Sequence, residues 1–303
     1  MPLEARPALR SLGGYAIRDF WCFFWGTGMR LLVKLVGGAA IVILLGWAIF
    51  WFLSGRVLHQ SYTVPLRPVA LPHDAASIAE GARLATLVGC RSCHNEGHGG
   101  AWEPVDWWYG RIAPPALPAM AARYSDAELA RLIQHGIRRD GTSLFTMPNV
   151  SERWLADDDV ARIIAWVRTL KASPADSPLQ TWYGPKARWQ MLTGDFKPSA
   201  QIDRVAAPAR PADAGGYFVH ALCAECHDVH KDRPGGEHPA PALAPIAAAY
   251  ADADFRTLLK TGIGAGGREV GFMTVIVREN LHALSDTEIE QIHAYLKAEA
   301  TRK

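Results

Sequence analysis

The chain has 303 residues, an ordinary globular composition and a formal net charge of +2 at neutral pH. Near-neutrality excludes a nucleic-acid binder or a partner recognised mainly by charge. Five cysteines, four of them in two short clusters, exclude a disulfide scaffold, and at roughly 150 residues per domain the length allows two domains.

The first predicted element is apolar. Leu35–Leu53 is an uncharged run of nineteen residues, enough helix to cross a hydrocarbon core of about 30 Å. A secretory signal has a core of only about 7–15 residues and a small-residue cleavage site. This run continues into Ser54-Gly55-Arg56-Val57 without that pattern, so 35–55 reads as an uncleaved transmembrane helix. Arg6, Arg10, Arg18, Arg30 and Lys34 precede it, whereas only Arg56 and Arg67 follow closely. The positive-inside rule then puts residues 1–34 in the cytoplasm and the rest across the membrane. Trp47, Trp51 and Phe52 suit an interfacial aromatic belt. Asp19–Met29, interrupted by Gly26 and Gly28, reads as an interfacial segment or a contact with a partner's membrane helices rather than a second span, and Cys22 within it as a small buried hydrophobe.

After a linker over 56–75 come two copies of one pattern. Cys90-Arg91-Ser92-Cys93-His94 and Cys223-Ala224-Glu225-Cys226-His227 are both C-x-x-C-H, the attachment signature of c-type haem. One helical turn sets both sulfurs along a porphyrin edge, where they bond the vinyl groups, and aims the histidine at the iron. A structural zinc site would need its ligands to converge, yet each cluster lies in its own repeat. The repeat continues downstream. Pro115-Ala116-Leu117 matches Pro241-Ala242-Leu243, Tyr124 matches Tyr250, and Gly136-Ile137 matches Gly262-Ile263. Met147 and Met273 then fall in register, and Trp166 pairs with Tyr295 after a short insertion.

Both copies read as helical. Ser77-x-x-Glu80, Ser125-x-x-Glu128 and Ser285-x-x-Glu288 are capping boxes, and Asp159–Leu170 and Thr287–Leu296 have apolar residues at helical spacing. The copies cover 76–172 and 212–303. Between them, 173–211 is Pro-rich and aperiodic, a linker whose Trp182, Tyr183 and Trp189 predict packing along a domain or a partner.

Met147 and Met273 are the candidate sixth iron ligands, because they alone among six methionines hold equivalent repeat positions around a haem. His98, His135, His220, His230 and His238 have no histidine at the equivalent place in the other copy and read as surface or packing residues. Pro115 and Pro241 stand where a carbonyl could accept the other ring N–H of His94 and His227. Gly262-Ile263-Gly264-Ala265-Gly266-Gly267 matches G-x-G-x-x-G only literally, since no strand precedes it.

The order C-x-x-C-H, Pro-x-Leu, Met, acidic cap and aromatic-bearing last helix resembles class I cytochrome c, twice over. The run from Gly136 to Leu170 is similar to cytochrome c domains of bacterial membrane-bound dehydrogenase or oxidase complexes. The resemblance implies an all-α fold with a transmembrane helix followed by two tandem cytochrome c domains. It implies two covalently bound haem c groups, one on Cys90, Cys93, His94 and Met147, the other on Cys223, Cys226, His227 and Met273. Its crossing terminal helices would bring Gly81 against Trp166. The second copy lacks the proline that follows Met147, and the first has an enlarged loop bearing Trp102, Trp107 and Trp108. The expected protein is a dihaem electron carrier without intrinsic catalysis, anchored in the bacterial inner membrane with its haem domains periplasmic. Its partners would be redox proteins or respiratory-complex subunits, with no nucleic acid and no small-molecule substrate. A dihaem peroxidase is the alternative, and would need an open iron face.

Overall fold

The apolar run and the residues before it form one helix, α1 (Tyr15–Leu58), of 44 residues, about 66 Å long at 1.5 Å per residue. The computed structural model describes residues 15–101, 106–205, 207–233 and 239–302. Arg6, Arg10, Trp102 and His238, and the side chains of Arg18 and Cys22, lie outside what is described. The helix includes Gly26 and Gly28. A helical glycine costs about 1 kcal/mol, which cooperative helix growth from both flanks outweighs. Gly28–Leu58 is long and apolar enough to cross a membrane. Most of its large apolar side chains from Met29 to Leu53 are exposed, Phe50 and Trp51 being half-buried.

Residues 56–303 form a separate compact unit. Its first half contains α2 (Ala75–Leu87), α3 (Cys90–Cys93), β1 (Gly110–Arg111), α4 (Leu117–Arg123), α5 (Asp126–His135), α6 (Asn149–Glu152) and α7 (Asp157–Thr169). A middle segment carries β2 (Trp182–Tyr183) and α8 (Pro185–Thr193). The second half has α9 (Gly215–Phe218), which continues as a π-turn over Val219–Cys223, then α10 (Leu243–Ala249), α11 (Asp252–Thr261), the hairpin strands β3 (Ile263–Gly264) and β4 (Arg268–Glu269), α12 (Phe272–Glu279) and α13 (Asp286–Thr301). The G-x-G-x-x-G stretch is thus a short hairpin, with no helix opening on its glycines.

Ser125 and Ser285 make the expected capping boxes with Glu128 and Glu288. Ser77 does not. Asp74 caps α2 instead, its Oδ1 accepting from Ser77 N at 2.8 Å, so the helix opens three residues earlier than Ser77 predicts. A carboxylate caps at least as well as a hydroxyl. Ser125→Ala and Ser285→Ala are each expected to cost about 1 kcal/mol in a denaturant melt, and Ser77→Ala almost nothing.

The segment expected to be a linker folds back on the first half. Its β2 pairs antiparallel with β1, Trp182 opposite Arg111 and Tyr183 opposite Gly110. Thr181 Oγ1 accepts from Ala113 N at 2.9 Å, and Asp157 N donates to Ala207 O at 2.8 Å.

Each half is built on one close helix crossing. A Cβ on Gly81 would lie 2.0 Å from the Arg162 carbonyl oxygen, and one on Gly215 would lie 2.2 Å from that of Gln291. Only glycine lets α2 meet α7, and α9 meet α13, backbone to backbone. The crossing at Gly81 meets Arg162 and Ile163, one turn before the predicted Trp166.

The halves also pack on each other reciprocally. Arg83 of α2 donates to Glu288 at the start of α13 (2.7 and 2.8 Å) and to Ala283 O (3.0 Å). Conversely, the Tyr217 hydroxyl of α9 donates to Asp159 at the start of α7 (2.7 Å) and accepts from Ala156 N (3.2 Å). Trp154 stacks on His220, with ring centroids 4.2 Å apart. One apolar cluster, including Leu84, Ile164, Phe218, Ile289 and Leu296, runs through both halves.

Candidate functional site

Cys90 and Cys93 sit one helical turn apart on α3, and His94 N donates to Cys90 O at 2.9 Å to close that turn. The His94 Nδ1–H donates to Pro115 O at 2.7 Å. A carbonyl can only accept, so the proton is on Nδ1 and Nε2 keeps its lone pair, the state a metal-ligating imidazole needs. Burial holds His94 below the usual histidine range against the opposing pull of that carbonyl, which favours the neutral ring.

Cys90, Cys93, His94, Pro115 and Met147 line one cavity of about 360 Å³, within the usual range of cofactor sites. The rest of its wall is mostly apolar, with Leu117, Ile133 and Ile164 among the contributors. The cavity could hold a flat apolar ring, with two thiols to attach it and an imidazole and a thioether as candidate donors to a metal. None of the four described alternative histidines lines it. His98 pairs with Asp176 at 2.8 Å, His230 lies 3.1 Å from Glu299, and His220 is held by Trp154.

The second motif repeats both hydrogen bonds. The His227 Nδ1–H donates to Pro241 O at 2.8 Å, and His227 N donates to Cys223 O at 2.8 Å. Met273 stands in the first turn of α12, whereas Met147 lies in the irregular stretch before α6. Both methionines pack against the central apolar cluster.

Burial pushes the Cys93 thiol up to about 11, with Glu152 adding to the shift. It pushes Cys223 up to about 12, helped by Cys226. Both are neutral thiols at neutral pH. Among the described residues no three His, Cys, Asp or Glu side chains converge in metal-binding geometry.

Two further residues escaped the sequence reading. Glu152, 2% exposed, lines the cavity, and burial followed by the charge of Glu225 pushes its carboxyl well above the usual range. Arg138 also lines it, its guanidinium tied to Thr142 Oγ1 and Ser143 O. No spacing rule marks either residue, because each reaches the cavity through tertiary packing.

Residues 78–171 match the family model for cytochrome c. Over 277 residues the chain is 26% identical to the fructose dehydrogenase cytochrome subunit of Gluconobacter japonicus, covering 77% of this chain and 55% of the relative. Over 292 residues it is 26% identical to the cytochrome c subunit of alcohol dehydrogenase (quinone) from Gluconacetobacter polyoxogenes, covering 83% and 60%. It is 24% identical over 275 residues to the gluconate 2-dehydrogenase cytochrome c subunit of Pantoea cypripedii, covering 76% and 62%. The chain therefore spans between 55% and 62% of the length of these relatives.

Proposed function

We propose that this chain, which carries a cytochrome c domain and is homologous to cytochrome subunits of dehydrogenases, is a membrane-anchored dihaem electron-transfer subunit. Its 76–172 and 212–303 regions are two class I cytochrome c domains in tandem. Cys90, Cys93, His94 and Met147 hold one haem c, and Cys223, Cys226, His227 and Met273 the other. Residues 1–34 face the cytoplasm and the haem domains the periplasm. Electrons enter from a dehydrogenase or a quinol-oxidising complex and leave to a terminal oxidase or a soluble cytochrome. The observation that carries this reading is the duplicated hydrogen bond behind each C-x-x-C-H, His94 to Pro115 at 2.7 Å and His227 to Pro241 at 2.8 Å.

Haem supplies one-electron ferric/ferrous cycling. The protein's own part is to fix the ligands and exclude water. The Pro115 and Pro241 carbonyls orient the imidazoles and keep the proton on Nδ1. Met147 and Met273 would supply thioether donors to the iron, a ligand type that favours the ferrous state. The relatives are dehydrogenase subunits, and the peroxidase alternative gains no support from them.

Met147→Leu keeps the volume and removes the sulfur. It is expected to abolish the methionine–iron charge-transfer absorption of one haem. That haem's potential should fall by on the order of 0.1 V, within the ~0.8 V over which axial ligands tune haem. Optical redox titration checks both. An unchanged band and potential would remove Met147 from the ligand set.

A further inference from the structure

Four tryptophans of the middle segment and its partner loop stand in the open. Trp107 is 72% exposed, Trp189 61%, Trp108 47% and Trp182 39%. Local hydrogen bonds gather them. Gly184 N donates to Tyr109 O at 2.8 Å and Lys186 N to Trp108 O at 2.9 Å, so the Trp107–Trp108 turn abuts the start of α8. Trp189 lies one turn further along that helix, and Trp182 is in the strand before it.

The opposite side of this ribbon and helix is anchored. Tyr183, Ala187 and Met191 form a small buried cluster with Phe145, and Val57 and Leu58 pack against it. Leu58 is the last residue of the apolar stretch Gly28–Leu58. The cluster is thereby fastened to the residues at which the chain leaves that stretch.

Taking α1 to span the bilayer, as proposed above, we infer that the ribbon and α8 rest on the head-group layer of the same membrane, with Trp107, Trp108 and Trp189 immersed in it. Indole suits that layer because its ring is apolar and its N–H polar. Charge agrees. Residues 106–111 and 182–197 contain Arg111, Lys186, Arg188 and Lys197 against Asp106 and Asp195, an excess that favours anionic head groups. Long cationic side chains can also lay their stems on apolar surface while the charge stays wet. A protein-binding core tends instead to exclude lysine.

The test uses the full-length, haem-loaded protein in nanodiscs of phosphatidylcholine and phosphatidylglycerol doped with a diazirine-bearing phospholipid. After photolysis, adducts are mapped by peptide mass spectrometry. Adducts are expected on 106–111 and 182–193 as well as on Ile41–Leu45 of α1. In the triple variant W107S/W108S/W189S those on the ribbon and α8 should be lost and those on α1 kept, with the haem spectrum unchanged. Should the variant not fold, the wild-type map alone decides. Adducts on α1 without any on the ribbon overturn the inference and leave the anchor standing. So does shielding of these tryptophans only when a second polypeptide co-purifies, which would make the surface a protein interface. Absence of adducts from α1 itself overturns the anchor reading.

Discussion

Gly81→Val is expected to unfold the first half of the 56–303 unit, or to destabilise it by about 3 kcal/mol or more. The side chain would enter space held by a helix backbone, with the Arg162 carbonyl oxygen 2.0 Å and its carbon 2.5 Å from the new Cβ. Backbone cannot rotate out of the way as a side chain can. Relief requires α7 to move as a body, and with it Ile163 and Ile164, whose side chains line the cavity. Haem content should therefore fall together with the melting temperature. Gly215→Val should act in the same way on the second half, where the Gln291 carbonyl oxygen is 2.2 Å from its Cβ. Thermal melts by circular dichroism alongside haem absorbance check both. A variant that melts like the parent would mean that the helices do not cross at these glycines.

Arg210→Met should cost about 3 kcal/mol, the penalty for stripping one partner from a buried charge. Arg210 donates to Asp159 through Nε and Nη2, both at 2.8 Å, and to Glu80 at 2.9 Å. Asp159 is fully buried and would keep only Arg162 at 2.6 Å and the Tyr217 hydroxyl at 2.7 Å. Arg210→Lys should recover only part, since an ammonium cannot make the forked contact. The network also fixes an acid limit. Burial alone would raise Glu80, but hydrogen bonds from Arg83 and Arg210 outweigh it and hold the carboxyl at about 2, against an ordinary 4.5. A depressed folded-state value means that this stabilisation is complete above pH 4.5 and is lost as pH falls towards 2. Arg210→Met should therefore flatten the loss of stability across that window. An equally steep acid limb in the variant would show that Arg210 does not set it.

Features written in short sequence segments were legible. The caps at Ser125 and Ser285, the helices α7 and α13 and the C-x-x-C-H turns each need only residues within a turn or two of one another. The proline carbonyls that face His94 and His227 could be singled out because the repeat fixed their register. Ser77 misled because a second capping residue, Asp74, stood one turn upstream. The aperiodic middle segment hid α8 and β2, since one depends on packing against Phe145 and the other on a strand more than seventy residues away. The ion network was out of reach for the same reason, as it joins Glu80, Asp159, Arg210 and Glu288 only once the halves have met.

Electron transfer as proposed requires haem on both C-x-x-C-H segments, and the pyridine haemochrome content of the purified chain tests this most directly. The expected result is two haem c groups for each polypeptide, both resisting extraction into acidified organic solvent. One group per chain, or pigment that extracts freely, would contradict it.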